Sequence, residues 1–395
     1  MIRDSNAREL FDFVRSADIS DVKTLNEIVS SYDLISYSIE EILSAVKKKS
    51  SDILLIDARS EKEFEETAIP NALNFPVLSN NERHNVGLIY KNYSQTSALW
   101  LAIQYAEPKY EHLKTFLEAN NAPEKNIFIY CWRGGGRSRY LAKMVSDLGY
   151  KTGYLKGGIR SYRQKVNKYF SLEKFSDSLL ELSGLTGCGK TELLRSVTGI
   201  LPVIDLELSA RHFSSLLGHI PFEIRNFSPV SNQSAFENSV YSQIFFNRIE
   251  NDSETTFIIE SESRKIGPFR MPEIIFDRLQ NSDTITISCS IETRIKRIVR
   301  DYFGNDLEGI NPMIKIMNDK ENFFRQQLSN KIFDELISLL QKSRVSEFCE
   351  IMIRDYYDKK YLKKPKSPVA EISTDDIDSA KDNLICVYNK QVLRK

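Results

Sequence analysis

Two glycine-rich loops, each directly following a short apolar run, constrain the fold of this 395-residue chain more than any other feature. The first loop begins at Cys131 after residues 127–130, and the second spans residues 184–191 after residues 179–182. Glycine permits the tight turn that leads from a buried strand directly into a helix. Each loop therefore predicts an α/β unit in which parallel strands alternate with helices.

The same alternation of apolar runs and helical patterns extends along most of the chain. Pro108 should kink or break a helix over residues 99–117, because proline lacks the backbone N–H that a helix interior needs. We expect strands at residues 53–56, 72–75, 127–130, 203–205, 256–259 and 284–287. The predicted divisions are an N-terminal helical extension (1–34), a first α/β domain (35–166), a linker (167–177), a second α/β domain (178–306) and its mainly helical C-terminal part (307–395).

Composition argues against membrane and disulfide-rich classes. With 41% hydrophobic and 27% charged residues, the chain has an ordinary globular composition. It contains no run of ~20 apolar residues, and its N-terminus has no signal-peptide pattern, so we expect no membrane partner. Five cysteines are spread without a CxxC pair, which argues against structural zinc and favours a reducing cytoplasm.

The net charge is zero, so any contact with nucleic acid must come from local clusters of basic residues. Two clusters are candidates, and a solvated helix face or a basic loop is the alternative for each. They comprise Arg294, Lys296, Arg297 and Arg300, and then Lys359, Lys360, Lys363, Lys364 and Lys366.

The first loop presents a thiol to backbone amides and arginines. Successive amides in a glycine turn form a nest for an anion, and the helix expected from Ser138 adds the positive end of its dipole. These features favour the thiolate, so we predict that Cys131 is a nucleophile whose loop could also hold a persulfide or selenosulfide anion. A buried cysteine beside a glycine turn is the alternative. The predicted anion cradle consists of Arg133, Gly134, Gly135, Gly136, Arg137 and Ser138.

The second loop matches the phosphate-binding P-loop pattern, with an apolar run before it and a helical pattern after it. Lys190 would reach the phosphates as a point charge, and the Thr191 hydroxyl could bind Mg²⁺. The motif fits any diphosphate and does not by itself select ATP or GTP. The predicted diphosphate-binding residues are Gly184, Thr186, Gly187, Cys188, Gly189, Lys190 and Thr191.

Carboxylates and arginines further along the chain could complete this second site. We expect Asp205 and Glu260, at the ends of two strands, to help Thr191 hold Mg²⁺, with solvated carboxylates as the alternative. Glu207 and Glu262 follow the same strands. The candidate lid over the diphosphate is Arg264, Arg294 and Arg297. No tightly bound cofactor is expected.

Two family resemblances rest on these motifs. Residues 56–64, 69–74 and 155–158, together with the Cys131 loop, resemble a rhodanese domain, in which Asp57 and Arg59 would support the loop without reacting. The fold class is thus expected to be a rhodanese-like parallel-sheet domain followed by a P-loop NTPase-like α/β domain with C-terminal helices. The whole of residues 50–390 is similar to the tRNA 2-selenouridine synthase family, through segments 82–91, 204–207, 233–238, 259–267 and 356–358.

The second resemblance implies a cytoplasmic transferase that replaces sulfur by selenium in 2-thiouridine at wobble position 34 of tRNA. Its route would be S-geranylation from geranyl diphosphate, followed by selenation from selenophosphate, with Cys131 carrying selenium or assisting its delivery. tRNA is the implied partner, together with an enzyme that supplies selenophosphate. The motifs do not locate a pocket for the geranyl chain and do not define an oligomeric state.

Two other functions remain open from the residues. A rhodanese sulfurtransferase fused to an ATP-using P-loop kinase would turn over ATP without any isoprenoid. A non-catalytic scaffold that binds anions or tRNA would keep its function when Cys131 is replaced by serine. Trp132, beside the thiol, would either stack on a nucleobase or pack inside the domain.

Overall fold

A computed structural model describes residues 5–48, 50–249, 254–360 and 367–393. The chain divides into two compact units, Met1–Lys168 and Tyr169–Lys395, which we describe separately. The lysines at 363, 364 and 366 in the second basic cluster lie outside the described residues. Within the described residues, no helix has the length and apolar character needed to cross a membrane.

The first unit is built on a five-stranded, fully parallel sheet with the order β1-β5-β4-β2-β3. The middle strand, β4, is buried on both faces, as expected for a parallel sheet covered by helices. Asp57 at the end of β2 lies opposite Tyr130 at the end of β4, so both strands deliver their following loops to the same edge. The strands are β1 (Ile35–Tyr37), β2 (Ile53–Asp57), β3 (Leu73–Asn74), β4 (Asn126–Tyr130) and β5 (Thr152–Leu155).

Helices in the described part of the first unit surround this sheet. Pro108 breaks the helical run as predicted, since α6 ends at Ala106 and α7 begins at Tyr110 after a short 3₁₀ turn. The helices are α1 (Ser5–Ser16), α2 (Leu25–Val29), α3 (Ile39–Lys48), α4 (Glu61–Glu66), α5 (Asn80–Asn92), α6 (Gln95–Ala106), α7 (Tyr110–Ala119), α8 (Gly136–Asp147) and α9 (Gly158–Phe170).

Helix α9 continues into the first residues of the stretch predicted as a linker. Its buried residues Ile159, Tyr162 and Val166 recur at helical spacing, so packing on one face sustains a helix despite the polar composition.

The N-terminal helix α1 packs on the pair α5 and α6. Phe11 and Val14 are buried against Ile89 and Leu101, so they form the apolar face of this helix. Phe13 of the same helix is 54% exposed.

The second unit has its own five-stranded parallel sheet, with the order β12-β11-β6-β8-β7. As in the first unit, the glycine-rich loop follows the middle strand, here β6. A separate antiparallel hairpin pairs β9 with β10. The strands are β6 (Ser178–Ser183), β7 (Val203–Ile204), β8 (Thr256–Glu260), β9 (Lys265–Ile266), β10 (Phe269–Arg270), β11 (Asp283–Ser288) and β12 (Ala370–Ser373).

The C-terminal part is mainly helical, as predicted, but it also contributes the edge strand β12. Ile372 of this strand is buried in the core beside β11, which explains why these residues join the sheet. The helices of the unit are α10 (Lys190–Ser196), α11 (Leu206–Ala210), α12 (Ile220–Glu223), α13 (Gln233–Asn247), α14 (Glu273–Gln280), α15 (Ile291–Phe303), α16 (Ile310–Asp319), α17 (Glu321–Leu328), α18 (Asn330–Gln341), α19 (Val345–Ile351), α20 (Asp358–Lys360) and α21 (Ile377–Val392), with a π-helical turn at Met352–Tyr357.

Candidate functional site

The thiol of Cys131 lies at the carboxyl end of the middle strand of the first unit. The residue is 4% exposed, and its Sγ lies 3.2 Å from the Oγ of buried Ser138 in a hydrogen bond. The Ser138 hydroxyl is also 3.3 Å from the carbonyl oxygen of Gly135, to which it can donate. Helix α8 begins at Gly136, so its amino end points its dipole toward the loop. The structure thus brings the thiol, the glycine turn and the helix start together.

Two glycines hold this loop in place. Gly134 and Gly158 have φ values of 69° and 58°, a region that favours glycine. A Cβ on Gly158 would collide with the carbonyl oxygen of Cys131, and the amide of Ile159 donates to that same oxygen at 2.9 Å. The segment after β5 therefore clamps the backbone of the thiol loop.

The two loop arginines differ in their surroundings. Arg137 donates to both carboxylate oxygens of Glu63, at 2.5 and 3.2 Å, and Arg83 forms a second ion pair with that carboxylate at 3.1 Å. Burial and these arginines act on Glu63 in opposite senses, and the net effect lowers the pKa of its carboxyl. Part of the Arg137 charge is therefore compensated by Glu63. Arg133 is exposed at the cleft.

Asp57 and Arg59 form a buried brace beside the loop. The Arg59 guanidinium donates to Asp57 at 2.6 and 3.0 Å, and it lies 5.8 Å from the ring centre of Tyr130. Asp57 and Arg59 are only 0% and 1% exposed. This geometry fits a supporting role that leaves the chemistry to the thiol.

A cleft of about 860 Å³ opens beside Cys131 within the first unit. Its walls come from the thiol loop, from α5 and α6, and from Leu25 of α2. Trp132 is 46% exposed and lines this cleft, so its ring is available for stacking and is not packed inside the domain. Sequence reasoning missed the cleft, although apolar residues along α5, such as the 58% exposed Tyr90, were a usable signal.

In the second unit, the P-loop runs from β6 into α10. Gly187 and Gly189 have φ values of 79° and 88°, and Gly189 caps the amino end of the helix. The Lys190 ammonium folds back over the loop and donates to the carbonyl oxygens of Gly184, at 2.7 Å, and Leu185, at 3.3 Å. Cys188 is buried among apolar residues of the core, which agrees with a structural role for its side chain. The loop therefore has the shape that a bound phosphate requires.

Two of the predicted lid arginines are buried braces of the P-loop. Arg294 donates to the Thr186 carbonyl oxygen at 2.8 Å and to both oxygens of Asp358. Arg297 donates to Glu192 at 2.6 Å and to the carbonyl oxygen of Thr374 at 2.6 Å. This arrangement differs from a lid that closes on a ligand, because both guanidinium groups are already bonded to the P-loop or to the helix that follows it.

The third lid candidate, Arg264, is partly exposed. It forms an ion pair with Glu273 and lies 5.2 Å from the ring centre of Phe276. These contacts anchor it to α14.

A cluster of carboxyl groups faces the start of α10. The Thr191 hydroxyl donates to Glu207 at 2.6 Å, and the Glu207 amide donates to Glu260 at 2.9 Å. Burial raises the pKa of Glu207 to about 8, with the nearby Glu262 adding to the rise. Burial also raises the pKa values of Glu260 and Glu262. The second carboxyl oxygen of Glu260 has no hydrogen-bond partner among the residues that the structure describes.

Asp205 does not face Thr191 in the way that the magnesium prediction requires. Its carboxylate accepts from Arg195 at 2.6 Å and caps α11 by accepting from the Leu208 amide at 2.7 Å. Glu207, two residues further along the chain, lies beside Thr191 instead. Sequence spacing placed both acids near the strand end, but only the fold decides which one turns toward the loop.

The residues around Thr191 fit a magnesium ion that is bound by few protein ligands and mostly by phosphate oxygens and water. No group of three or more His, Cys, Asp or Glu side chains in the described part of the chain has a metal-site arrangement. Magnesium in phosphate sites, however, usually takes one or two protein ligands and completes its shell with phosphate oxygens and water. Thr191, Glu207 and the unpartnered oxygen of Glu260 match that requirement.

Two family models match the chain in agreement with this geometry. The model described as the tRNA 2-selenouridine synthase AAA domain matches residues 177–384, which is more than half of the chain. The model of the rhodanese-like domain matches residues 38–165. These matches cover the P-loop and the Cys131 loop, respectively.

Curated relatives agree with these models. A tRNA 2-selenouridine synthase of Bdellovibrio bacteriovorus is 34% identical over 265 residues, covering 65% of this chain and 66% of that protein. One of Nitrosomonas europaea is 31% identical over 303 residues, covering 74% and 76%. One of Shewanella sp. strain ANA-3 is 27% identical over 333 residues, covering 78% and 87%. With both loops in place and both family models matched, this chain belongs to the tRNA 2-selenouridine synthase family.

Proposed function

We propose that this chain replaces the 2-thio sulfur of uridine 34 in tRNA by selenium, in two steps that use its two loops in turn. The observation that carries the proposal is that one chain of this family joins a thiol beside a large cleft to a complete P-loop. A sulfurtransferase alone has no use for a P-loop, and a P-loop enzyme alone has no use for the thiol.

The first step is S-geranylation of the nucleobase. The thiocarbonyl sulfur attacks C1 of geranyl diphosphate, so that a C–S bond forms, the C1–O bond breaks and diphosphate leaves with the electron pair. The base loses its N3 proton to solvent. Lys190 and the loop amides stabilise the departing diphosphate, where negative charge develops. The alkylated sulfur is a better leaving group than the thiocarbonyl sulfur.

The second step is selenation. Selenium of selenophosphate attacks C2 of the base, a C–Se bond forms, and the C–S bond breaks to release geranylthiol, which takes up a proton. Water cleaves the Se–P bond and gives inorganic phosphate. Cys131, whose Sγ is hydrogen-bonded to Ser138, assists the delivery of selenium to C2 without a change in the oxidation state of selenium. An enzyme that makes selenophosphate is then the partner that supplies this step.

Magnesium would be held by Thr191 and Glu207, with the diphosphate and water completing its shell. Its chemical contribution would be added positive charge beside the leaving diphosphate.

The test is mass spectrometry of wobble nucleosides after tRNA is incubated with pure protein. With geranyl diphosphate alone, we expect S-geranyl-2-thiouridine to accumulate; with selenophosphate added, we expect 2-selenouridine. Unaltered 2-thiouridine with both donors present would refute the proposal. A product that depends on ATP and not on the isoprenoid would favour the fused sulfurtransferase and kinase.

A further inference from the structure

The cleft beside Cys131 is much larger and more apolar than a selenium-donating anion needs. Selenophosphate is small and highly charged, whereas a volume of about 860 Å³ lies within the range of about 300–1,000 Å³ typical of sites for drug-sized organic ligands. Helices α5 and α6 give the cleft an apolar wall, formed by Val86, Leu88, Ala98, Leu99, Ala102 and Ile103.

Cationic side chains also line the cleft. Arg83, Lys91 and Arg133 are exposed there, so they could meet the phosphates of a bound nucleotide. Arg137 lines the cleft as well and is paired with Glu63. The exposed ring of Trp132 stands next to the thiol and offers a face for a base. The ligand that matches this surface has an apolar chain, a flat ring and flanking negative charges.

We infer that the cleft of the first unit binds the S-geranylated wobble nucleotide, with the geranyl chain lying against α5 and α6 and the base beside Trp132 and Cys131. This inference rests on the proposed function for the existence of that nucleotide. It assigns the cleft to the intermediate of the reaction, and it explains why a thiol loop is joined to an apolar helical wall.

The P-loop of the second unit borders a much smaller apolar space. An apolar cavity beside Thr186 has a volume of about 20 Å³, on the order of that occupied by a single water molecule. This particular cavity is too small for a ten-carbon chain. The larger cleft, which lies at the thiol, is therefore the better match for the alkylated base.

Gly87 of α5 provides a direct test. It lines the cleft, and a Cβ built on it would meet nothing within 4 Å, so a larger side chain there would project into open space. Replacing glycine within a helix also removes a conformational cost, so Gly87→Phe should fold. Asn81→Phe is the matched control, because Asn81 is exposed on the same helix and does not line the cleft.

The experiment measures the binding of full-length protein to two anticodon stem-loop RNAs that differ only in having 2-thiouridine or S-geranyl-2-thiouridine at the wobble position. Wild type and Asn81→Phe should bind the geranylated RNA at least about tenfold more tightly, as burial of apolar surface predicts. Gly87→Phe should lose this preference and keep its affinity for the thiouridine RNA. Leu99→Gln, which keeps the side chain's size and removes its apolar surface, should weaken the preference in the same direction.

An unchanged preference in Gly87→Phe and Leu99→Gln, or no preference in wild type, overturns the inference. It is also overturned if Gly87→Phe weakens the binding of geranyl diphosphate as strongly as it weakens the binding of the geranylated RNA, because the cleft would then hold the donor. The binding assay uses presynthesised RNA, so it stands apart from the proposed function, which fails separately if wild type cannot geranylate 2-thiouridine.

Discussion

Cys131 is fixed by contacts to its backbone, and its buried side chain lies at the wall of the cleft. Gly158 and the Ile159 amide clamp the carbonyl group of Cys131, and Ser138 contacts the sulfur. The surrounding loop amides and the start of α8 favour negative charge at this point. A selenium-bearing anion would therefore be stabilised at the place where the cleft begins.

Replacement of Cys131 by serine should separate the two proposed steps. Without a thiol, selenium incorporation should fall below detection, while geranylated tRNA accumulates because the P-loop is untouched. Mass spectrometry of wobble nucleosides measures both products in one sample. Equal loss of both products would contradict the assignment of one step to each loop.

Replacement of Lys190 by alanine should have the reverse effect. The ammonium group is the charge closest to the expected diphosphate, and loss of one such stabilising group typically lowers the rate by about 100-fold or more. We expect geranyl transfer to fall by that factor, whereas selenation of presynthesised geranylated RNA should continue. Cys131→Ser is its reciprocal control. Normal geranyl transfer by Lys190→Ala would rule out the proposed role of the P-loop.

Glu207 should make stability depend on pH. Its pKa is raised from 4.5 to about 8 by burial, so the folded chain holds this proton more tightly than the unfolded chain does. The free energy of unfolding therefore falls as pH rises from about 4.5 to about 8, and the stabilisation is fully present below that window. Glu207→Gln removes the cost of keeping a buried carboxyl group at high pH. It should therefore stabilise the ligand-free protein at pH 8, on the order of 1 kcal/mol or more, with little effect at pH 5.

Thermal unfolding of the two proteins at pH 5 and pH 8 checks this expectation. Glu335→Gln, at an exposed position of α18, is the control and should change stability little at either pH. The prediction is wrong if Glu207→Gln shifts the melting temperature equally at both pH values.

At the scale of elements, both units place a glycine-rich loop after the middle strand of a five-stranded parallel sheet. The carboxyl ends of parallel strands leave a crevice there, which is where such sheets bind ligands. Neighbouring segments then fix each loop: the turn before α9 clamps the Cys131 loop, and Arg294 and Arg297 of α15 brace the P-loop.

Gly158→Ala should test the clamp before α9. A Cβ at this position would collide with the Cys131 carbonyl group, and the positive φ adds backbone strain of about 1–3 kcal/mol. We expect a lower melting temperature and reduced selenation. Gly149→Ala is a matched control, because it has φ 87° but a Cβ there would meet nothing within 4 Å. If the two variants lose selenation equally, the clamp has no special role.

At the scale of the whole molecule, the zero net charge means that tRNA affinity must come from local groups of cations. Phosphate contacts release counterions, so affinity should fall as salt rises, linearly on a log–log plot. If the exposed guanidinium of Arg133 meets a phosphate, Arg133→Gln should reduce the slope of log affinity against log salt concentration by about one. Titrations of tRNA binding between 50 and 200 mM salt measure this slope for wild type and for Arg133→Gln. An affinity that does not respond to salt would contradict this expectation.

The sequence by itself determined the strand, glycine turn and helix around Cys131 and around Lys190. These arrangements depend on neighbours within a few residues, on glycine's access to positive φ and on alternating apolar runs. The helix break at Pro108 was predictable for the same local reason. The two motifs, together with the segments 82–91, 204–207, 233–238, 259–267 and 356–358, were also enough to indicate the family.

The tertiary structure decided which distant side chains meet. Glu63 reaches Arg137, Glu207 takes the position expected for Asp205, and Arg294 pairs with Asp358 behind the P-loop. The cleft arises because α5 and α6 pack beside the thiol loop. Such contacts join residues far apart in the chain, and they follow from how helices pack on a sheet, which no local pattern of residues encodes.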